Sequence, residues 1–151
     1  MCESWIRKLG AAIIGLVVLM LLSPMLIYWW GLSNLETDPV PSTIKLTPKQ
    51  EQEIWRKEKE VGSPSIKSVT PYGYILYFNC GVDKGLYANE CMEKYPGLRL
   101  SALAVRRQVG AQVAGKGSLV WQVTWLAYTI WVTQNWNVHQ ILATYHEAYN
   151  T

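Results

Sequence analysis

From Leu9 to Trp30 the chain reads LGAAIIGLVVLMLLSPMLIYWW, 22 consecutive positions without a charge. At about 1.5 Å of rise per residue, a helix of this length crosses a hydrocarbon layer of roughly 30 Å. A cleavable signal peptide would carry an apolar region of about 7–15 residues that ends in a small-residue cleavage site. The residues Tyr28-Trp29-Trp30-Gly31-Leu32-Ser33-Asn34 offer no such site, so the segment reads as an uncleaved anchor over residues 9–30. The Tyr28-Trp29-Trp30 cluster suits the water interface, and Pro24 is tolerable where a neighbouring group or a local kink absorbs its lost backbone bond.

Arg7 and Lys8 precede the span, while Glu36 and Asp38 follow it. Although Lys45 and Lys49 reduce the contrast, the positive-inside bias places residues 1–8 in the cytoplasm. The expectation is a single-pass protein of a bacterial inner membrane with its C-terminal part in the periplasm. Cys80 and Cys91 then lie on the oxidising side and Cys2 on the reducing side. The pair is either a Cys80–Cys91 disulfide, stabilising by roughly 3 kcal/mol in the chain-entropy model, or two unrelated buried thiols; spacing does not choose between them. No Cys or His cluster has the spacing of a metal site. The net charge of +3 is spread out rather than gathered in a Lys/Arg tract, which argues against nucleic acid as a partner.

Residues 31–46 contain Pro39 and Pro41 among polar positions, the composition of an extended tether that hugs the domain. Thr47-Pro48-Lys49-Gln50 is a helix start, with Thr47 as N-cap, Pro48 at the first helical position and Gln50 reaching back. The helix is expected to run from Pro48 to Glu60 with Ile54, Trp55 and Val61 inward and Gly62 as its stop. Residues 66–80, IKSVTPYGYILYFNC, mix β-branched and aromatic types and read as a short strand or hairpin, with a buried irregular stretch as the alternative. After the Pro96-Gly97 turn, Leu98, Ala102, Val105 and Val109 share one side of a helix.

Residues 118–134, SLVWQVTWLAYTIWVTQ, are apolar nearly all round, as in a buried central helix or a second span. Gln122, Thr124, Thr129, Thr133 and Gln134 would be costly in lipid, which favours the buried helix. Asn137, with Gln140 three positions on, caps a last helix from Val138 to about Tyr149 that turns Ile141, Leu142 and Tyr145 inward.

The order of long apolar helix, polar turn and capped helix with Ile141-Leu142-Ala143-Thr144-Tyr145 resembles the C-terminal part of the peptidoglycan glycosyltransferases of family 51. Their phrase Leu-Ser-Lys-Asp-Glu-Ile-Leu-Glu-x-Tyr-Leu-Asn stands here as Asn135 to His146. Gly97 to Arg107, GLRLSALAVRR, is similar in register to the family's Gly-Ser-Thr-Ile-Thr-Gln-Gln-Leu-Ala-Lys-Asn, with Ser101 at the second Thr, Arg106 at the basic residue and the Gln-Gln pair gone. Ile54-Trp55-Arg56-Lys57-Glu58 resembles the stretch with the catalytic glutamate, Glu58 being the better match and Glu60 the fallback. The Asp and Phe that normally follow are missing, and Val123 stands where a second carboxylate belongs. The resemblance covers roughly Thr47 to Asn150, departs from much of the family's chemistry, and marks a divergent, degenerate relative. It implies a mainly α fold: one N-terminal transmembrane helix, then a small lysozyme-like α-helical domain over residues 47–151.

In such a reaction a glutamate deprotonates a sugar hydroxyl, which displaces a lipid diphosphate stabilised by Arg, Lys or a divalent metal. By resemblance Glu58 would be the base, raised in pKa by an apolar wall such as Trp55, with Arg106, Arg107 and Lys116 toward the diphosphate. The plainer alternatives are a solvated carboxylate at Glu58, the wet side of a helix at Arg106-Arg107, and a loop cation at Lys116. His139 and His146, seven apart, are too far along one helix to share an ion well. Trp121, Trp125, Tyr128, Trp131 and Trp136 have the spacing of a core helix as much as of a sugar-stacking face. The expected function is therefore a membrane protein that binds or acts on lipid II or glycan strands, with catalysis weakened or lost and no cofactor beyond that metal. The alternatives are a non-catalytic envelope partner or immunity-type protein and, last, a lysozyme-like glycan-cleaving enzyme.

Overall fold

A computed structural model describes residues 2–82 and 93–149. Among the described residues the chain forms six helices and no strand. They are α1 (Cys2–Leu32), α2 (Pro48–Lys57), α3 (Pro71–Val82), α4 (Leu98–Gln112), α5 (Ser118–Asn135) and α6 (Val138–Tyr149). Within α1, Gly10–Leu32 is long and apolar enough to cross a membrane, and no other described helix is. Pro24 leaves the Met20 carbonyl without its usual backbone donor, and the Ser23 hydroxyl donates to that oxygen at 2.8 Å.

Of the polar side chains along α5, Thr124, Thr129, Thr133 and Gln134 are placed by protein contacts, while Gln122 is exposed. Thr124, Ala127, Tyr128, Thr129, Ile130, Val132 and Thr133 are buried on it. The Thr129 hydroxyl bonds the Trp125 carbonyl, and Gln134 donates to the Val69 carbonyl at 2.7 Å. The Thr133 hydroxyl accepts from the Val69 N–H at 3.1 Å. Around α5, the core gathers Trp55 from α2, Leu100, Val105 and Val109 from α4, and Ile141, Leu142 and Tyr145 from α6.

The end of α1 also packs on α5, antiparallel to it. Tyr28 meets Ala127 and Ile130, Gly31 faces Val123 and Ala127, and the Asn34 amide donates to the Thr124 hydroxyl at 3.0 Å. A Cβ on Gly31 would stand 2.5 Å from the Ala127 Cβ and 2.6 Å from the Val123 carbonyl oxygen, so only glycine allows this approach. The apolar helix is thus part of the domain's packing. The tether that follows is held by two side chains one turn apart on α4. Gln112 bonds both the N–H and the carbonyl of Thr37, and Gln108 does the same for Val40, replacing the partners a strand would have had.

Two helix starts are as the sequence indicates. Thr47 and Gln50 form a reciprocal capping box ahead of Pro48, and Asn137 and Gln140 form a second ahead of Val138. Two readings need correction. Residues 71–82 are helical and not a strand, because Thr70 caps the Gly73 N–H at 3.1 Å and Pro71 fills the first helical position. Helix α2 ends at Lys57 and not at Glu60. Lys59 turns left-handed (φ 60°), its N–H returning to the Arg56 carbonyl and that of Glu60 to the Trp55 carbonyl. That is a Schellman stop reached without glycine, a conformation costing about 1 kcal/mol in an L residue. In consequence Val61 is exposed instead of inward.

Candidate functional site

The left-handed stop at Lys59 turns the chain so that the carboxylates on either side of it, Glu58 and Glu60, line one cleft of about 400 Å³. Arg99 from the first turn of α4, Tyr77 from α3 and Tyr95 from the preceding turn complete its walls. Underneath lies Trp55, fully buried, whose indole N–H donates to the Val61 carbonyl at 3.1 Å and ties down the turn.

The two carboxylates are held differently. Glu58 accepts a 2.6 Å hydrogen bond from the Tyr145 hydroxyl on one oxygen and pairs with Arg99 at 3.2 Å on the other. Burial, followed by that bond to Glu58, pushes the Tyr145 phenol up to about 12, so it stays a donor throughout the physiological range. Glu60 accepts from the Gly97 N–H at 3.2 Å and, among the described residues, forms no ion pair. Burial raises its pKa above the ordinary carboxylate range; the Gly97 bond and Arg99 oppose that shift, and the Glu58 charge adds to it. Of the pair, Glu58 is held by two side chains, Tyr145 and Arg99, and Glu60 is the carboxyl whose pKa burial raises.

The raised pKa has a consequence for stability. A carboxyl that binds its proton more tightly when folded contributes stability that is fully present below its unfolded pKa and lost as pH rises through its folded one. Thermal melts in detergent from pH 4 upward should show this decline in the wild type, and Glu60→Gln should flatten it.

The other expected site residues lie elsewhere. Ser101 is buried in α4, its hydroxyl donating to the Gly97 carbonyl. Arg106 stacks over Trp121 and Trp125, 5.7 Å from each ring. Arg107 donates to the Ala148 carbonyl at the end of α6, and Lys116 to the Asn34 carbonyl just past α1, both as caps of exposed helix ends. None of the four lines the cleft, whose cations among the described residues are Lys59 and Arg99. Val123 lies where α1 presses against α5 at Gly31. Tyr128 and Trp136 of the aromatic run are core residues.

Cys80 is buried and disulfide-bonded; Cys91 lies outside the described residues. His139 pairs with Glu51 at 2.6 Å. Among the described residues no group of three His, Cys, Asp or Glu side chains converges as a metal site would require, so the divalent ion of the resemblance finds no donor set in them.

Arg99, Tyr77 and Tyr95 line the cleft without having been singled out by the sequence, and Tyr145, expected only as an inward core residue, reaches Glu58 from behind it. Tyr145 carried a signal, as the fixed Tyr of the Ile-Leu-x-x-Tyr frame, whereas Arg99 meets Glu58 across 41 positions and nothing local announces it. No family model, curated protein or solved structure matches the chain.

Proposed function

We propose that this chain is a membrane-anchored envelope protein, similar to the peptidoglycan glycosyltransferases, that binds lipid II or glycan strands in the Glu58–Glu60 cleft and polymerises them weakly or not at all. The observation that carries this reading is the pair of carboxylates bracketing Lys59, one held by Tyr145 and Arg99 and one with its pKa raised by burial, in a cleft on a domain docked against its own anchor. Sugar hydroxyls suit such acceptors, and Tyr77 and Tyr95 put aromatic side chains in the cleft wall. Glu60 takes the place that the resemblance gave first to Glu58.

Weak chemistry follows from charge. A diphosphate leaving group needs unpaired cations, yet among the described residues Glu58, Glu60 and Glu93 outnumber Lys59 and Arg99 in the cleft, and Arg99 is already paired. The disulfide-bonded Cys80 supports a periplasmic domain, because such bonds persist in oxidising compartments.

Fluorescent lipid II titrated into nanodiscs carrying the full chain should bind, and Glu60→Ala should weaken binding about tenfold, the loss of roughly one hydrogen bond in a site of this kind. A flat titration with the wild type would sink the reading. The use of Arg107 and Lys116 as helix caps favours a second reading, a non-catalytic or immunity-type partner of an envelope protein. It predicts that indifference to lipid II, together with a co-purifying envelope protein.

A further inference from the structure

Helix α3 carries no charged residue, yet only one of its sides is used by the domain. On that side Tyr77 meets Tyr95 edge-on at 5.7 Å, Gly73 comes close to Val69 and Tyr95, and Cys80 is buried. On the other, Tyr72, Ile75, Leu76 and Phe78 are 44–64% exposed, and Tyr72, Ile75 and Leu76 recur at helical spacing as one stripe. A helix that is apolar all round belongs in a core or in lipid, and an open stripe of this kind calls for a cover.

Its position identifies the cover. The Tyr72 hydroxyl donates to the Leu21 carbonyl at 2.6 Å. Leu21 lies inside the apolar span, whose neighbours Leu19, Met20 and Leu22 are themselves exposed. It also lies seven to nine residues before Tyr28-Trp29-Trp30, or roughly 10–14 Å along the helix. With about 15 Å of hydrocarbon per leaflet and that cluster at the interface, the start of α3 is at acyl-chain depth. A phenol there needs a protein partner, and it has one.

We infer that α3 is a second membrane element, immersed without crossing in the leaflet on the domain's side, with acyl chains covering Tyr72, Ile75, Leu76 and Phe78. The apolar stripe continues the lipid-facing surface of α1, so the bilayer that covers the one covers the other. Because Tyr77 projects from the opposite side of α3 into the cleft, immersion sets the mouth of the cleft at headgroup level. Whatever the cleft binds, it takes from the membrane surface. The inference does not depend on that ligand being a sugar.

Full-length protein with methyl-labelled Ile and Leu, in phosphatidylcholine–phosphatidylglycerol nanodiscs, tests it by paramagnetic broadening. Phosphatidylcholine doxyl-labelled on its acyl chain should erase most of the Ile75 and Leu76 methyl intensity, as it does for Ile14 and Leu19 in the span. An aqueous gadolinium chelate should instead erase Leu119, which is exposed at the far end of α5, and spare Ile75 and Leu76. Loss of the Ile75 and Leu76 signals to gadolinium would overturn the inference, since the stripe would then face water. Loss to neither agent would overturn it too, since the cover would then be protein.

Discussion

Trp55→Ala should lower stability by about 3–5 kcal/mol, the range for deleting a fully buried aromatic side chain. Its ring is wholly enclosed by the core, and its indole N–H holds the Val61 carbonyl. The ring also lies 3.2 Å from where a Cβ on Gly97 would stand, so it supports both the turn bearing Glu58 and Glu60 and the Gly97 N–H that bonds Glu60. Truncation therefore leaves a cavity under both walls of the cleft. Thermal melts in detergent should show a drop of about 6–20 °C, at roughly 2–4 °C per kcal/mol for a chain of this size. Trp55→Phe, which keeps one six-membered ring in the site and gives up the N–H with the rest of the second ring, should lose less.

Gly31→Leu should cost about 3 kcal/mol, the upper end of what overpacking usually costs, because even its Cβ would collide with the Ala127 side chain and the Val123 backbone. Backbone cannot step aside as a flexible side chain can, so α1 must separate from α5. The Asn34–Thr124 and Lys116–Asn34 bonds should go with it. A fall in melting temperature of about 6–12 °C is expected. Gly15→Leu is the control: it lies in the same helix, where a Cβ would meet nothing within 4 Å, and should leave the melt nearly unchanged.

The sequence revealed elements through local chemistry, and it misled where residue type was weighed above caps. Thr47-Pro48 and Asn137 announced their helices, and the side chains that close those boxes are where the spacing put them. Thr70-Pro71 is the same signal as Thr47-Pro48. Read as such, it would have made 71–82 a helix in spite of its aromatic and β-branched content, which tertiary setting overrides. The end of α2 was hidden because a lysine, not a glycine, takes the left-handed turn. The mainly α architecture is what the resemblance implied, and the packing of α5 against protein followed from the polar side chains Thr124, Thr133 and Gln134, each of which has a partner.

The cleft was only half legible. Two carboxylates two positions apart are visible in any chain, but the groups that make them unequal are distant: Gly97 by 37 positions, Arg99 by 41 and Tyr145 by 87. The roles of Arg106, Arg107 and Lys116 were equally non-local. A basic residue reads the same in sequence whether it faces a phosphate, an indole ring or the end of a helix, and here the last two hold. Docking of the anchor on α5 depends on Gly31, a residue that looks like ordinary loop punctuation next to two tryptophans.

That the chain crosses the bilayer once, through α1, with α5 enclosed by protein, is tested most directly by labelling both flanks of α5. In a Cys2→Ser background, Lys116→Cys and Tyr149→Cys should each react with an impermeant maleimide on intact spheroplasts, without lysis. If one of the two reacted only after lysis while the other reacted before it, the flanks of α5 would lie on opposite sides of the membrane, and the enclosed helix, the docked anchor and the cleft built on them would all be contradicted.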